Sequence, residues 1–244
     1  MGRTQEGQLR WLGPEKGVIH MAAGAILNAV WDLWARIENK PLWELVCDLE
    51  PEALVKLIDF KHIQDYVSKE EALALLKNVR PGWEERKALM KSQGMRAYTT
   101  SAGWLGYPVE KVKQLCHDSL AKGHRYFKMK VGSANVEDDI ARADAIRSVI
   151  GYDKDGRYLM MDANQKWGVK EAIEKMKLLA KFKPLWIEEP TNFDDVLGHL
   201  AIAEALKNYN IGVATGEVAQ SKVIFKQLLS TNAIKYCQID SCRV

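Results

Sequence analysis

The sequence predicts an α/β fold: an incomplete (β/α)8-type barrel of about six βα units, preceded by a partial, mostly helical region. Three observations carry this. From about Tyr98 onward, short apolar stretches alternate with longer amphipathic ones, a rhythm that implies parallel strands joined by helical crossovers. A charged residue stands at or next to the end of each strand candidate from the second to the sixth. Before Tyr98, apolar residues recur at helical rather than alternating spacing.

Taken in order, Ile19, Ala22, Ile26, Ala29, Val30 and Leu33 mark a helix between Glu15 and Glu38, with Trp31 and Trp34 adding bulk to its stripe. Asn39-Lys40-Pro41 ends it, because proline disfavours helix in the residue before it. Leu42 to Val46 reads as a short second helix. Ile58 and Phe60 suit a short extended piece, Lys69–Asn78 is helical in pattern, Pro81-Gly82 breaks it, and Glu84–Gln93 is a charged helix. The texture change places a boundary near residue 95, with residues 1–95 as one domain and 96–244 as the barrel. Strand candidates in the second part are Ala97–Ser101, Tyr126–Val131, Tyr158–Asp162, Leu185–Glu188, Ile211–Glu217 and Lys235–Asp240. Helices are expected near 108–121, 136–149, 169–182, 194–208 and 219–230.

Composition narrows the function classes. At 47% hydrophobic and 27% charged, the chain is ordinary for a globular protein. Its net charge of +3 gives no footprint for nucleic acid. No apolar run is expected to approach the roughly 20 residues that span a bilayer, so no membrane partner is expected. The polar start, Met1 to Glu6, lacks the apolar core of a secretory signal. Cys47, Cys116, Cys237 and Cys242 are too sparse for a disulfide framework and read as reduced, mostly core thiols. A reducing compartment follows: the cytoplasm, with the mitochondrial matrix as the alternative. No G-x-G-x-x-G or Walker loop stands at any strand-to-helix turn.

The chemistry lies at the strand ends. Lys130, Asp162, Glu188, Glu217 and Asp240 follow one another at intervals of 32, 26, 29 and 23 residues, each about one βα unit. Asp162, Glu188 and Glu217 converge from three adjacent strands, and unpaired they would repel strongly in a low-dielectric pocket. A hard divalent cation resolves that repulsion, and Mg²⁺ prefers such oxygens. Lys128 and Lys130 project from one face of their strand. A lysine beside a second cation and a metal loses affinity for its proton and can act as a base, while the metal stabilises an enediolate formed by removing a proton α to a carboxylate.

Phe127 to Gly132, Met161-Asp162-Ala163-Asn164-Gln165, Trp186-Ile187-Glu188-Glu189-Pro190-Thr191 and Ala214-Thr215-Gly216-Glu217 resemble the enolase superfamily, mandelate racemase subgroup. The helix Ala25 to Trp34 with Pro41-Leu42-Trp43 resembles the helical part of that superfamily's capping domain. Trp11 to Gly17, Tyr98 to Ser101, Phe182 to Leu185 and Gln238 to Arg243 are similar to the L-fuconate dehydratases. The resemblance implies Mg²⁺ on Asp162, Glu188 and Glu217. It implies Lys130 as the base that takes the C2 proton of an acid sugar. Lys128 would meet the substrate carboxylate and tune Lys130, and Asn164 would line the metal and substrate site. Asp240 would be the acid half of an Asp–His dyad whose histidine protonates the departing 3-hydroxyl. The product is a 2-keto-3-deoxy acid, and a homo-oligomer is implied.

The dyad histidine has no match among His20, His62, His117, His124 and His199, of which the last two read as surface or core residues. The chain ends four residues after Asp240. The expectation is therefore a fragment or truncated isoform with impaired turnover. The alternative is a non-catalytic product that binds metal or partner subunits.

Overall fold

The computed structural model describes residues 17–219 and 221–240. Trp11 to Lys16 of one motif, and Ser241, Cys242 and Arg243 of another, lie outside the described residues. The chain groups into two compact units. One takes the residues up to Met95 with Gln220–Lys226 and Asp240–Val244, and the other takes Arg96–Ala219 with Gln227–Ile239.

The first unit is helical: α1 Val18–Ile37, α2 Leu42–Asp48, α3 Pro51–Leu57, α4 Lys69–Val79 and α5 Trp83–Gln93. Local chemistry sets these limits. Pro51 opens α3 at a position where its missing N–H costs nothing. At the start of α4, the Ser68 hydroxyl accepts from the Glu71 N–H while the Glu71 carboxylate accepts from the Ser68 N–H. Two expectations are corrected here. Ile58 and Phe60 form no strand: Ile58 is extended but only ends α3, and no neighbouring strand pairs with it. By length and composition α1 does reach membrane-spanning size, because Ala and Gly fill the positions between its large apolar residues. Of α1 only Ala35 is buried, while Met21, Ile26, Leu33 and Ile37 are exposed. Ion pairing ties α2 to α5: the buried Glu44 accepts from the half-exposed Lys91 at 2.7 Å and pairs with Lys87 at 3.1 Å.

The second unit carries six parallel strands in the order β1 to β6, each beside its neighbour in sequence. They are β1 Tyr98–Thr99, β2 Tyr126–Lys130, β3 Tyr158–Asp162, β4 Trp186–Glu188, β5 Gly212–Thr215 and β6 Tyr236–Cys237. The crossovers are α6 Val109–Ala121, α7 Val136–Ile150, α8 Val169–Leu179, α9 Val196–Leu206 and α10 Lys222–Ser230. The incomplete β/α barrel is thus the fold. Sequential strand order with a helix after each strand is how such a barrel is wound.

Alternation along the strands separates two faces. Phe127, Met129, Leu159, Met161, Ile187 and Val213 join helix residues such as Ile146, Met176 and Ile202 in one buried apolar cluster. The other face is layered. Tyr126 stacks on Tyr158 with ring centroids 4.9 Å apart, and above them Trp186 lies 4.8 Å from Tyr236. The top layer holds charge. Gly103 lets the loop after β1 seal against β2: a Cβ there would lie 2.1 Å from the Lys128 carbonyl oxygen and 2.6 Å from the Met129 Cα. Those atoms are backbone and cannot step aside. Gly103→Ala is therefore expected to lower stability by about 3 kcal/mol, read as an earlier denaturation midpoint at unchanged slope.

His199 of α9 is fully buried, its Nδ1 2.7 Å from the Asp195 carbonyl oxygen and its Nε2 unpartnered. Of the two readings expected for it, surface or core, it takes the core one. Burial holds its pKa below the ordinary 6.5, so the unfolded chain takes the proton first. Stability should fall as pH drops through that ordinary value, and His199→Leu should flatten the slope. Urea melts between neutral and mildly acid pH check this; parallel slopes in both proteins would remove His199 as the cause. Of the described cysteines only Cys116 is buried, so the expectation of mostly core thiols fails for Cys47 and Cys237, both exposed.

Candidate active site

Strand register does what the sequence spacing implied. Lys130 is the register partner of Asp162, Asp162 of Glu188 and Glu188 of Ala214, so two carboxylates and a lysine share one row across β2, β3 and β4. Asp162 and Glu188 are buried, each 1% exposed. The row ends differently on β5. That strand stops at Thr215, and Gly216, at φ 131°, turns the chain before Glu217, which is exposed. Strand β6 stops at Cys237, three residues before Asp240. The expectation that Glu217 and Asp240 end their strands is corrected: the turn at Gly216 stops β5 before Glu217, and the β6 ladder runs no further than the Gln238 N–H, which donates to the Thr215 carbonyl oxygen at 3.1 Å. Asp240 groups with the first unit.

The lysines hold the carboxylates. Lys128 Nζ donates to both Glu188 oxygens at 2.7 and 2.8 Å, stands 3.5 Å from Asp162 Oδ2 and donates to the Tyr98 hydroxyl at 3.1 Å. Burial works against its charge, yet the Glu188 carboxylate outweighs that and drives its pKa above the usual lysine range. Lys130 Nζ donates to Asp162 Oδ2 at 2.5 Å and sits 5.7 Å from the exposed Trp104 ring. The Trp186 indole N–H reaches Glu188 at 3.3 Å. Asn164 contributes through its backbone: its N–H donates to Asp162 Oδ1 at 2.9 Å, and its side chain is exposed.

Sequence reasoning passed over two participants. Tyr98 bonds Lys128 and also places its ring 4.6 Å from that ammonium. Glu189 is buried, with Oε1 unpartnered. Burial chiefly, then the charges of Asp162, Glu217 and Glu188, push its carboxyl up against a Gln165 hydrogen bond. Its φ of 42°, immediately before Pro190, is strained backbone, and Asn164 and Gln165 share the left-handed region at 45° and 62°. The doubled Glu188-Glu189 was the one available signal.

Among the described residues, no three His, Cys, Asp or Glu side chains are gathered as they stand to hold a metal. The donor set nevertheless fits a hard divalent cation. Asp162 and Glu188 are buried oxygen donors in register on adjacent strands, and Glu217 lies near enough for its charge to reach Glu189. The space between the first two is spanned by the Lys128 ammonium, a cation already drawn there by their charge.

Residues 111–244, more than half of the chain, match the family described as enolase C-terminal domain-like. The chain is 54% identical to L-galactonate dehydratase of Hypocrea jecorina over 99% of its own length and 53% of that protein. It superposes on the crystal structure of human mitochondrial enolase superfamily member 1 with a TM-score of 0.93 and 54% identity, covering 99% of this chain and 54% of that one. L-talarate/galactarate dehydratase of Salmonella typhimurium LT2, solved with Mg and L-lyxarohydroxamate, matches at 34% identity and a TM-score of 0.55, over 66% of this chain and 42% of that one. The chain thus spans about half the length of the curated relatives it matches. The parallel strands with their row of lysine and carboxylates, together with the pattern over residues 111–244, place the chain in the enolase superfamily.

Proposed function

We propose that this chain carries the proton-abstraction site of a Mg²⁺-dependent acid-sugar dehydratase. The observation that supports it most is the row Lys130, Asp162, Glu188, which sets a lysine beside two buried oxygen donors. Asp162, Glu188 and Glu217 would hold Mg²⁺, which when bound supplies charge stabilisation at the substrate carboxylate. Lys130 takes the C2 proton, and its position beside Asp162 orients it. Lys128, released from Glu188, meets the substrate carboxylate, with Tyr98 steering it. Asn164 lines the site and fixes Asp162 through its N–H. Asp240 would be the acid half of a dyad with a histidine that protonates the departing 3-hydroxyl. No histidine of this sequence matches that one, so C2 proton exchange is the step these residues support by themselves.

The substrate class is a six-carbon aldonate. L-Fuconate is 6-deoxy-L-galactonate, so the Hypocrea relative's named substrate differs from it only by the hydroxyl at C6. Both therefore belong in the test. The human relative is named as a mitochondrial protein, which supports a mitochondrial location over the cytoplasm. A homo-oligomer remains part of the reading.

Proton NMR of L-fuconate or L-galactonate in D₂O, with the chain and Mg²⁺, follows the C2 proton. Its loss, blocked by EDTA, is the expected result. A folded sample that leaves the proton in place with both sugars overturns the reading and favours a non-catalytic chain that binds metal or partner subunits.

A further inference from the structure

The turn after β2 is bracketed from one side by a buried ion pair on α7. Asp139 is fully buried and Arg142 is 6% exposed, with Arg142 Nη2 2.5 Å from Asp139 Oδ1. Both spend their remaining capacity on the segment that presents Lys130. Arg142 Nη2 donates to the Lys130 carbonyl oxygen at 2.8 Å, and its Nη1 reaches the Gly103 carbonyl oxygen at 3.4 Å. That same Gly103 oxygen accepts from the Lys130 N–H at 2.8 Å. Asp139 Oδ2 accepts from the Gly132 and Ser133 N–H groups at 2.8 and 3.1 Å, and its Oδ1 from the Ser133 hydroxyl at 2.6 Å. The Val131 N–H donates to the Asp162 carbonyl oxygen at 2.8 Å. Every backbone N–H from 130 to 133 is thus held, three of the four by the pair or by the oxygen it shares.

Stability alone explains this arrangement poorly. Taking two charges out of water costs about as much as their attraction returns, so a buried pair is weak evidence of net stabilisation. A fully bonded polar network does, however, specify geometry. Apolar side chains of the same volume would fill the space between α7 and β2 but could not bond two amides, a hydroxyl and two carbonyls at once.

We infer that Asp139 and Arg142 are positioning residues: they fix the turn after β2 and so set where the Lys130 ammonium stands. The inference rests on the reading of Lys130 as the base only for its catalytic consequence. Its geometric content is tested without turnover.

The experiment compares wild type, Arg142→Met and the milder Ser133→Ala, all without metal. Brief labelling with acetic anhydride and mass spectrometry read Lys130 against Lys128. Lys130 labelling should rise in both variants, more in Arg142→Met, while Lys128, anchored by Glu188, stays at the wild-type level. With Mg²⁺ and sugar, a lysine displaced by about 1 Å should slow C2 exchange on the order of a hundredfold at saturation with little change in KM. Unchanged Lys130 labelling in Ser133→Ala overturns the inference, as does a rise that Lys128 shares along with a lowered melting temperature. Should Arg142→Met not fold, Ser133→Ala decides. If the labelling shifts as expected while the wild type exchanges no proton, the positioning role stands and the base assignment falls.

Discussion

Lys130→Met should abolish C2 exchange, lowering it by at least about 10²–10⁴-fold, the range a positioned proton-transfer group supplies. Methionine keeps the length and removes the amine assigned to take the proton, leaving the two carboxylates of the row in place. Folding should survive. Lys130 is partly exposed, and the Asp162 oxygen it leaves still stands 3.5 Å from Lys128. The measurement is the C2 signal in D₂O, with circular dichroism and a Mg²⁺ titration on the same samples. A variant that folds, binds Mg²⁺ and still exchanges at the wild-type rate would transfer the base role to another residue.

The largest stability effect is expected at Lys128. Its ammonium is bonded to both oxygens of a carboxylate that is itself 1% exposed. Lys128→Met leaves Glu188 buried with only the Trp186 indole at 3.3 Å, and leaves Asp162 dependent on Lys130. Breaking a buried pair by removing one partner costs about 3–5 kcal/mol, because the survivor keeps its desolvation penalty. For a chain of this length that lowers the melting temperature by roughly 10 °C. Mg²⁺ adds a discriminating arm. If Asp162, Glu188 and Glu217 hold the ion, millimolar Mg²⁺ should recover more stability in Lys128→Met than it adds to the wild type, where it must displace an ammonium. Equal melting temperatures without metal would show that the pair carries no stability, and an absent Mg²⁺ response in both proteins would argue against the metal site.

Much of this molecule was legible because its signals are local and periodic. Tyr158–Asp162 falls where alternation placed it, and Val136–Ile150 extends its expected helix by one residue. The βα intervals gave the strand order, since a parallel neighbour must wait for a crossover helix. Where backbone turns intervened, spacing misled. The span from Thr215 to Glu217 counts as alternation on paper, but Gly216 rotates the chain between them. Ile58 and Phe60 looked extended, yet a strand exists only where a neighbour offers its hydrogen bonds.

The sequence by itself determined the parallel βα architecture and placed Lys130, Asp162 and Glu188 at neighbouring strand ends, because both follow from repeat length and side-chain type. Only the tertiary structure decided how those residues pair. Register turned intervals of 32 and 26 residues into one row of Lys130, Asp162 and Glu188. Burial gave Lys128 its grip on Glu188, drew Tyr98 into the site and raised Glu189 beside the other carboxylates. It also brought Asp139 and Arg142 of α7 against the turn after β2. Electrostatics in a low-dielectric pocket depends on distances of a few ångströms between residues far apart in the chain, and those distances exist only once the chain has folded.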